Sequence, residues 1–177
     1  MKSQLISTHP SSRRQVVVGL AGLSLATLLA DPARVARAAA SVQTVTAKTP
    51  SGRSVSAALA MPEQKPAAAV MLVHEWWGLN DQIKSVATEI AKQGWLGLAV
   101  DLYDGKVVAT PEEADSLMKA VVPADASGTM ATWVDWLRQN PDCNGKVASI
   151  GWCFRGGMAL QAAMDRALDA AVVYYCH

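Results

Sequence analysis

Short apolar runs alternate with amphipathic stretches along most of this chain. Ala68–Val73 and Leu96–Val100 are continuous apolar runs, which is typical of strands buried on both faces of a parallel sheet. The segment between them carries apolar residues at helical spacing and predicts a helix that Asp81 caps and Gly94 ends. Its apolar positions are Ile83, Val86, Ala87, Ile90 and Ala91.

The same alternation continues on both sides of this unit. Two extended segments, Val42–Lys48 and Ser54–Ala60, flank a turn that contains Pro and Gly, and they predict an opening hairpin. The later elements predicted are a helix beginning at Thr110–Pro111, a helix with its apolar face between Ala126 and Leu137, a strand Lys146–Gly151, a helix Met158–Met164 and a strand Ala170–Tyr175. We therefore expect an α/β fold with a doubly wound, mostly parallel sheet.

Composition fits one soluble domain and argues against one class of partner. The chain has 177 residues, of which 51% are hydrophobic and 18% are charged. The net charge is +1, but the first 40 residues carry +4, so the remaining 137 carry −3. A slightly acidic body without basic runs gives no electrostatic reason to expect nucleic-acid binding.

The N-terminal segment has the pattern of an export signal. Arg13 and Arg14 precede an uncharged stretch from Gln15 to Ala30, and three small residues, Ala38–Ala40, follow. This pattern resembles a twin-arginine (Tat) signal, which directs folded proteins across the bacterial inner membrane. We therefore expect residues 1–40 to be an export signal cleaved after Ala40, and residues 41–177 to form the exported domain in the bacterial periplasm. The apolar stretch is short for a spanning helix, so no stable membrane span is expected after cleavage. A retained anchor is the alternative.

Cysteine and histidine spacings predict no metal site and no cofactor. The three cysteines, Cys143, Cys153 and Cys176, form no CxxC pair and do not cluster with histidine. His74-Glu75 does not continue into the H-E-x-x-H zinc pattern, because Gly78 stands where the second histidine would be.

Cys153 lies in the strongest chemical motif, a predicted strand that runs into a Gly-rich turn and then a helix. In α/β-hydrolases this turn, G-x-(Ser or Cys)-x-G, exposes the nucleophile at its tip. A helix N-terminus lowers the pKa of a thiol, and the backbone N–H of Phe154 would donate to a developing oxyanion. Arg155 departs from the motif because glycine usually stands there. The alternative is a buried structural cysteine.

Four segments together resemble the dienelactone hydrolase (carboxymethylenebutenolidase) family of the α/β-hydrolase superfamily. They occur in the family's order and are Val73–Asn80, Asp101–Tyr103, Gly151–Phe154 and Val172–Tyr175. The resemblance covers roughly residues 42–176. It implies that Glu75 hydrogen-bonds the nucleophilic thiol and helps to generate the thiolate, and that Trp76 supplies a second oxyanion-hole N–H.

Independently of the resemblance, a carboxylate directly after a buried strand lies at the carboxyl edge of the sheet, where ligands bind in open α/β folds. A solvated loop acid is the alternative for Glu75. Trp77, with Trp76, would line an apolar substrate pocket or else belong to the core. Lys106 is a candidate substrate-binding residue because no arginine matches the family's carboxylate-binding position, and a solvated loop lysine is its alternative.

The acid and the histidine of a hydrolase triad are not found after Cys153. Only 24 residues follow it; Asp165 and Asp169 come before the last strand and are expected at the surface, and His177 comes too early. We therefore expect a C-terminally truncated form with little or no turnover. The apolar edge left at Ala170–Tyr175 is expected to favour aggregation.

Two functions remain open. The first is hydrolysis of lactones or small carboxylic esters through a thioester on Cys153. The second is a non-catalytic domain that binds a small ligand or a partner, which the substitution at Arg155 and the absent acid and histidine favour. A redox role is disfavoured because the motif contains no second cysteine.

Overall fold

The computed structural model describes residues 31–152 and 156–174. Several sequence predictions lie outside these residues. They concern the paired arginines of the export signal, Cys153, Phe154, Arg155, Cys176 and His177.

Helices and strands alternate as the hydrophobic pattern predicts. The helices are α1 (Pro32–Ala40), α2 (Asp81–Lys92), α3 (Pro111–Ala120), α4 (Pro123–Gln139) and α5 (Gly156–Arg166). The strands are β1 (Gln43–Lys48), β2 (Ser54–Ala60), β3 (Ala67–Val73), β4 (Leu96–Val100), β5 (Cys143–Trp152) and β6 (Ala170–Tyr174).

The six strands form one sheet in the order β1-β2-β4-β3-β5-β6. β1 and β2 form the expected antiparallel hairpin, and β2 is antiparallel to β4. β3 pairs in parallel with β4 on one side and with β5 on the other, and β5 pairs in parallel with β6. This arrangement confirms the doubly wound, mostly parallel sheet.

Successive side chains of the central strands enter two separate cores, because neighbouring residues of a strand point to opposite faces. Met71 of β3 packs in the core on the face of α4 and α5, with Trp133 of α4. Leu72, the next residue, packs in the core on the face of α2, with Ile90. All four of these side chains are fully buried. Helices therefore cover both faces of β3.

Several predicted element ends differ from the observed ones; α5, for example, spans Gly156–Arg166 instead of residues 158–164. β5 begins at Cys143 and ends at Trp152 instead of spanning residues 146–151, because Cys143 already pairs with Ala67 before the register shifts. α2 is capped by Asn80 and not by Asp81. The backbone of Asn80 is extended, so its side chain accepts a hydrogen bond from the Ile83 N–H, as an N-cap does.

The expected cleavage point after Ala40 lies at the end of α1, a helix that packs against α2. Ala39 is buried, and the Thr88 hydroxyl of α2 donates to the Ala38 carbonyl at 2.8 Å. Cleavage after Ala40 would therefore remove a helix that contacts the domain. Within residues 31–152 and 156–174, no helix is long and apolar enough to cross a membrane.

β6 stands at one end of the strand order, and β5 is its pairing partner among the described strands. Its side chains are half-buried apart from Ala171, which is exposed, whereas every residue of β4 is buried. An apolar strand with this exposure is the kind of edge at which chains associate.

Candidate active site

The candidate site lies at the carboxyl edge of the sheet, where three parallel strands end side by side. Val73 of β3 is in register with Val100 of β4 on one side and with Gly151 of β5 on the other. The loops that follow these strands therefore leave the sheet at the same edge, which is where open α/β folds bind ligands. The loop after β3 carries Glu75, Trp76 and Trp77.

A tight turn after β3 holds Glu75 half-buried at this edge. The Gly78 N–H donates to the Glu75 carbonyl at 3.4 Å, and the Asn80 N–H donates to the Gly78 carbonyl at 2.9 Å. Gly78 has a φ of +91°, and a Cβ atom there would fall within 3.0 Å of the Lys106 carbonyl oxygen. A side chain at this position is thus excluded both by backbone conformation and by the neighbouring loop.

His74, which the sequence analysis did not select, joins this turn to the loop after β4. The imidazole is fully buried, and its Nε2 accepts a hydrogen bond from the Leu102 N–H at 3.1 Å. Its Nδ1 lies 2.6 Å from the Glu75 carbonyl oxygen. A polar aromatic residue directly between a buried strand and a candidate carboxylate is the signal that could have identified it.

Asp101 organises the loop after β4. Its buried carboxylate accepts hydrogen bonds from the backbone N–H of Tyr103 at 2.9 Å and of Gly105 at 2.6 Å, and from the Ser56 hydroxyl at 3.1 Å. The carboxylate therefore fixes both the curvature of the loop and its attachment to β2.

The two loops also contact each other directly, and this contact positions Trp77. The Val108 N–H donates to the Trp77 carbonyl at 3.1 Å. The rings of Trp76 and Trp77 are both half-buried, with centroids 5.5 Å apart and planes tilted by 50°. Neither ring is part of the fully buried core, so both remain candidates for lining a substrate pocket.

Lys106 is exposed and lines a groove of about 250 Å³ together with Arg53 and Asp104. Arg53, another residue that the sequence analysis did not select, comes from the turn before β2. Its guanidinium donates to the Asp104 carboxylate at 2.8 Å. The groove thus contains two cationic side chains, one of which already has an anionic partner.

Cys153 and Phe154 lie outside the described residues, but the elements on either side of them are described. β5 ends at Trp152 and α5 begins at Gly156, so the motif is preceded by a strand and followed by a helix, as a nucleophile motif is. The Ser149 hydroxyl of β5 donates to the Ala159 carbonyl of α5 at 2.9 Å, so strand and helix are tied together close to the motif.

Cys143 is the cysteine within the described residues, and its surroundings do not activate it. It is buried at the start of β5, and this burial is the main reason why the pKa of its thiol is raised. A thiol with a raised pKa stays protonated at neutral pH and is a poor nucleophile.

Asp165 and Asp169 are exposed, as expected, and each has a local structural partner. Asp165 accepts a hydrogen bond from the Gln161 side chain on α5 at 2.7 Å, and Asp169 accepts one from the Val147 N–H at 2.9 Å. Within the described part of the chain, no three His, Cys, Asp or Glu side chains are grouped so that they could hold a metal ion.

Comparison with protein families agrees with this arrangement of strands and loops. The model of the dienelactone hydrolase family matches residues 55–177. This chain belongs to the dienelactone hydrolase family. The family resemblance predicted from the sequence is thereby confirmed.

Individual relatives match the same region. The carboxymethylenebutenolidase of Pseudomonas putida is 26% identical, over 70% of this chain and 56% of the relative. Two solved structures superpose with a TM-score of 0.65 over 77% of this chain and 60% of theirs. One is m3DLH, at 26% identity, and the other is P91, a dienelactone hydrolase-like promiscuous phosphotriesterase from metagenomic libraries, at 25%. The chain therefore spans little more than half the length of these dienelactone hydrolase relatives.

Replacing Asp101 by Asn should destabilise the loop after β4. An amide has one acceptor oxygen, so its NH₂ group would face donors that the carboxylate now satisfies. We expect a loss of about 2 kcal/mol in the free energy of unfolding, measured by urea denaturation. The same substitution at Asp104, whose side chain is 68% exposed, should cost less than about 1 kcal/mol. Equal losses at the two positions would contradict the role assigned to Asp101.

Proposed function

We propose that this chain provides the acylation machinery of a hydrolase of lactones or small carboxylic esters, with the Cys153 thiol as nucleophile. The single observation that carries this proposal is the parallel register of β3 and β5, in which Val73 is paired with Gly151. Glu75 and Cys153 each follow their paired residue by two positions in the chain. Both therefore follow strands that end at the same edge, and this supports a contact between carboxylate and thiol.

In the proposed reaction, Glu75 takes the proton of the Cys153 thiol, and the sulfur attacks the carbonyl carbon of the substrate. The electrons of the carbonyl bond move to its oxygen, which the backbone N–H groups of Trp76 and Phe154 stabilise. Collapse of this intermediate forms a thioester on Cys153 and releases the alcohol part of the ester as an alkoxide, which is then protonated. For a lactone, the released alkoxide stays attached to the acyl group.

Hydrolysis of the thioester needs a group that activates water, and His74 is not suited to this role. Both of its ring nitrogens are occupied by backbone partners, one in each neighbouring loop. We therefore propose that His74 takes no part in deacylation, and that with an activated aryl ester the thioester forms faster than it is hydrolysed.

The groove and the paired indoles support a substrate with an apolar ring and an anionic substituent. Trp76 and Trp77 offer aromatic surface at the sheet edge. Lys106, which is exposed and lines the same groove as Arg53, is the proposed partner for a substrate carboxylate. The name of the Pseudomonas relative, carboxymethylenebutenolidase, describes a substrate of this kind for that protein.

Labelling with p-nitrophenyl acetate tests the nucleophile. We expect one acetyl group per chain, located on Cys153 by peptide mass spectrometry, with release of one p-nitrophenolate. Cys153→Ala should abolish this rapid labelling. Cys143→Ala is the matched control and should leave the rate unchanged, because burial raises the pKa of the Cys143 thiol.

Persistent labelling of Cys153→Ala at the original rate would contradict the assignment of the nucleophile. If the unmodified chain binds a butenolide or an aryl ester but forms no acyl adduct, the alternative of a non-catalytic binding domain replaces the proposal.

We also propose that residues 1–40 direct export through the twin-arginine route. The expected result is a periplasmic protein whose N-terminal sequence begins at Ser41, and export should be lost when both Arg13 and Arg14 are replaced by Lys. The mature form would then lack α1, including the Ala38 carbonyl that binds Thr88. A periplasmic protein that retains Pro32–Ala40 would contradict cleavage after Ala40, and export of the double-lysine variant would contradict the route.

A further inference from the structure

We propose that His74 is a positioning residue that orients the backbone N–H of Trp76 toward the oxyanion. This inference rests on the proposed function, because it concerns the hydrogen-bond donor that stabilises the tetrahedral intermediate formed on Cys153. It assigns to His74 a role through the backbone, without contact to the substrate.

The hydrogen bonds of His74 define which of its nitrogens carries the proton. The Leu102 N–H can only donate, so Nε2, at 3.1 Å from it, must be the acceptor. A neutral imidazole that accepts at Nε2 carries its proton on Nδ1. Nδ1 lies 2.6 Å from the Glu75 carbonyl oxygen, so it donates to that oxygen.

The bond to the Glu75 carbonyl sets the orientation of the next N–H group. The carbonyl oxygen of Glu75 and the amide hydrogen of Trp76 belong to one planar trans peptide and point in opposite directions. His74 Nδ1–H and the Gly78 N–H both hold the oxygen toward the turn, and the Trp76 N–H is consequently directed away from it. No acceptor within residues 31–152 and 156–174 takes this N–H, which leaves it available to an oxyanion.

His74 can hold this peptide because its own ring is fixed. The side chain is fully buried, its Nε2 is bound by Leu102, and it packs edge-on against Tyr103 with ring centroids 4.7 Å apart. Asp101, directly before Leu102, fixes the loop that supplies the Leu102 N–H. The loop after β4 thus constrains a peptide in the loop after β3.

Two reagents separate this role from general effects on the thiol. Attack on p-nitrophenyl acetate forms the sulfur–carbon bond through an oxyanion and expels p-nitrophenolate. Attack on iodoacetamide displaces iodide at a saturated carbon and forms no oxyanion. A residue that orients an oxyanion donor therefore affects the first reaction and leaves the second unchanged.

Two substitutions at His74 separate the two hydrogen bonds of the ring. His74→Phe keeps an aromatic ring but removes both bonds. His74→Asn also lacks the acceptor for Leu102, but its side-chain NH₂ stands close to the position of Nδ1 and can donate to Glu75. The remote control is Thr129→Val, which removes the bond from the buried Thr129 hydroxyl to the Asp125 carbonyl in α4.

We expect His74→Phe to slow acylation of Cys153 by about 10- to 100-fold and to leave the rate of alkylation unchanged. The expected slowing is somewhat smaller than that caused by removing an oxyanion donor altogether, because the Trp76 N–H is still present. His74→Asn should restore part of the acylation rate, because it keeps a donor to Glu75 but loses the bond to Leu102, and Thr129→Val should change neither rate. Equal acylation by the unmodified chain and His74→Phe would overturn the proposal, as would parallel losses of acylation and alkylation.

Failure of the proposed function gives a different result, namely no acylation of the unmodified chain.

A second measurement does not depend on how the variants fold. Nitrogen NMR of the unmodified protein should show His74 protonated at Nδ1 and unprotonated at Nε2. The opposite tautomer would overturn the proposal irrespective of the kinetic results.

Discussion

Parallel pairing of β3 with β4 on one side and β5 on the other is the constraint on which the candidate site depends. Parallel strands that are in register end together, so the loops that follow them share one edge of the sheet. Helices cover both faces of these strands and prevent a shift in register. A shift by one residue would turn Met71 and Leu72 to the opposite faces of the sheet, away from the cores in which they pack. The cores therefore determine the relative positions of the loops, which contact each other through hydrogen bonds and through the packing of His74 against Tyr103.

Where the strands end, buried backbone groups need new partners, and polar side chains supply them. His74 accepts the Leu102 N–H, and Asp101 accepts the N–H groups of Tyr103 and Gly105. A buried donor without a partner costs about 1–3 kcal/mol, so these side chains stabilise the loops in one conformation. The proposed orientation of the Trp76 N–H and the stability of the loops thus depend on the same hydrogen bonds.

Much of the fold was predictable from the sequence because each strand of the centre is a short apolar run. Ala68–Val73 and Leu96–Val100 matched β3 and β4 to within one residue, since burial on both faces requires apolar residues at every position. The extension of β5 to Cys143 was not predictable, because it depends on pairing with Ala67 across the sheet. Asn80 was missed as a cap since Asp81, its neighbour, is an equally suitable residue type.

The site was predictable to a smaller extent. Glu75 was predicted as a site residue because it directly follows an apolar strand in a segment that resembles a known family. His74 and Asp101 were not assigned a role, because their importance lies in bonds to backbone groups 28 and 2 to 4 residues away along the chain, which residue type alone does not indicate. Arg53 was missed for a similar reason: the hairpin turn reaches Asp104 only in the folded protein.

The most direct test of the account is the pH dependence of Cys153 acylation in the unmodified chain and in Glu75→Gln. If Glu75 takes the thiol proton, the variant should be about 100-fold slower at neutral pH. Its rate should then rise about tenfold per pH unit up to the pKa of the Cys153 thiol, while the rate of the unmodified chain changes much less. Identical profiles for the two proteins would contradict the proposed pairing of Glu75 with Cys153.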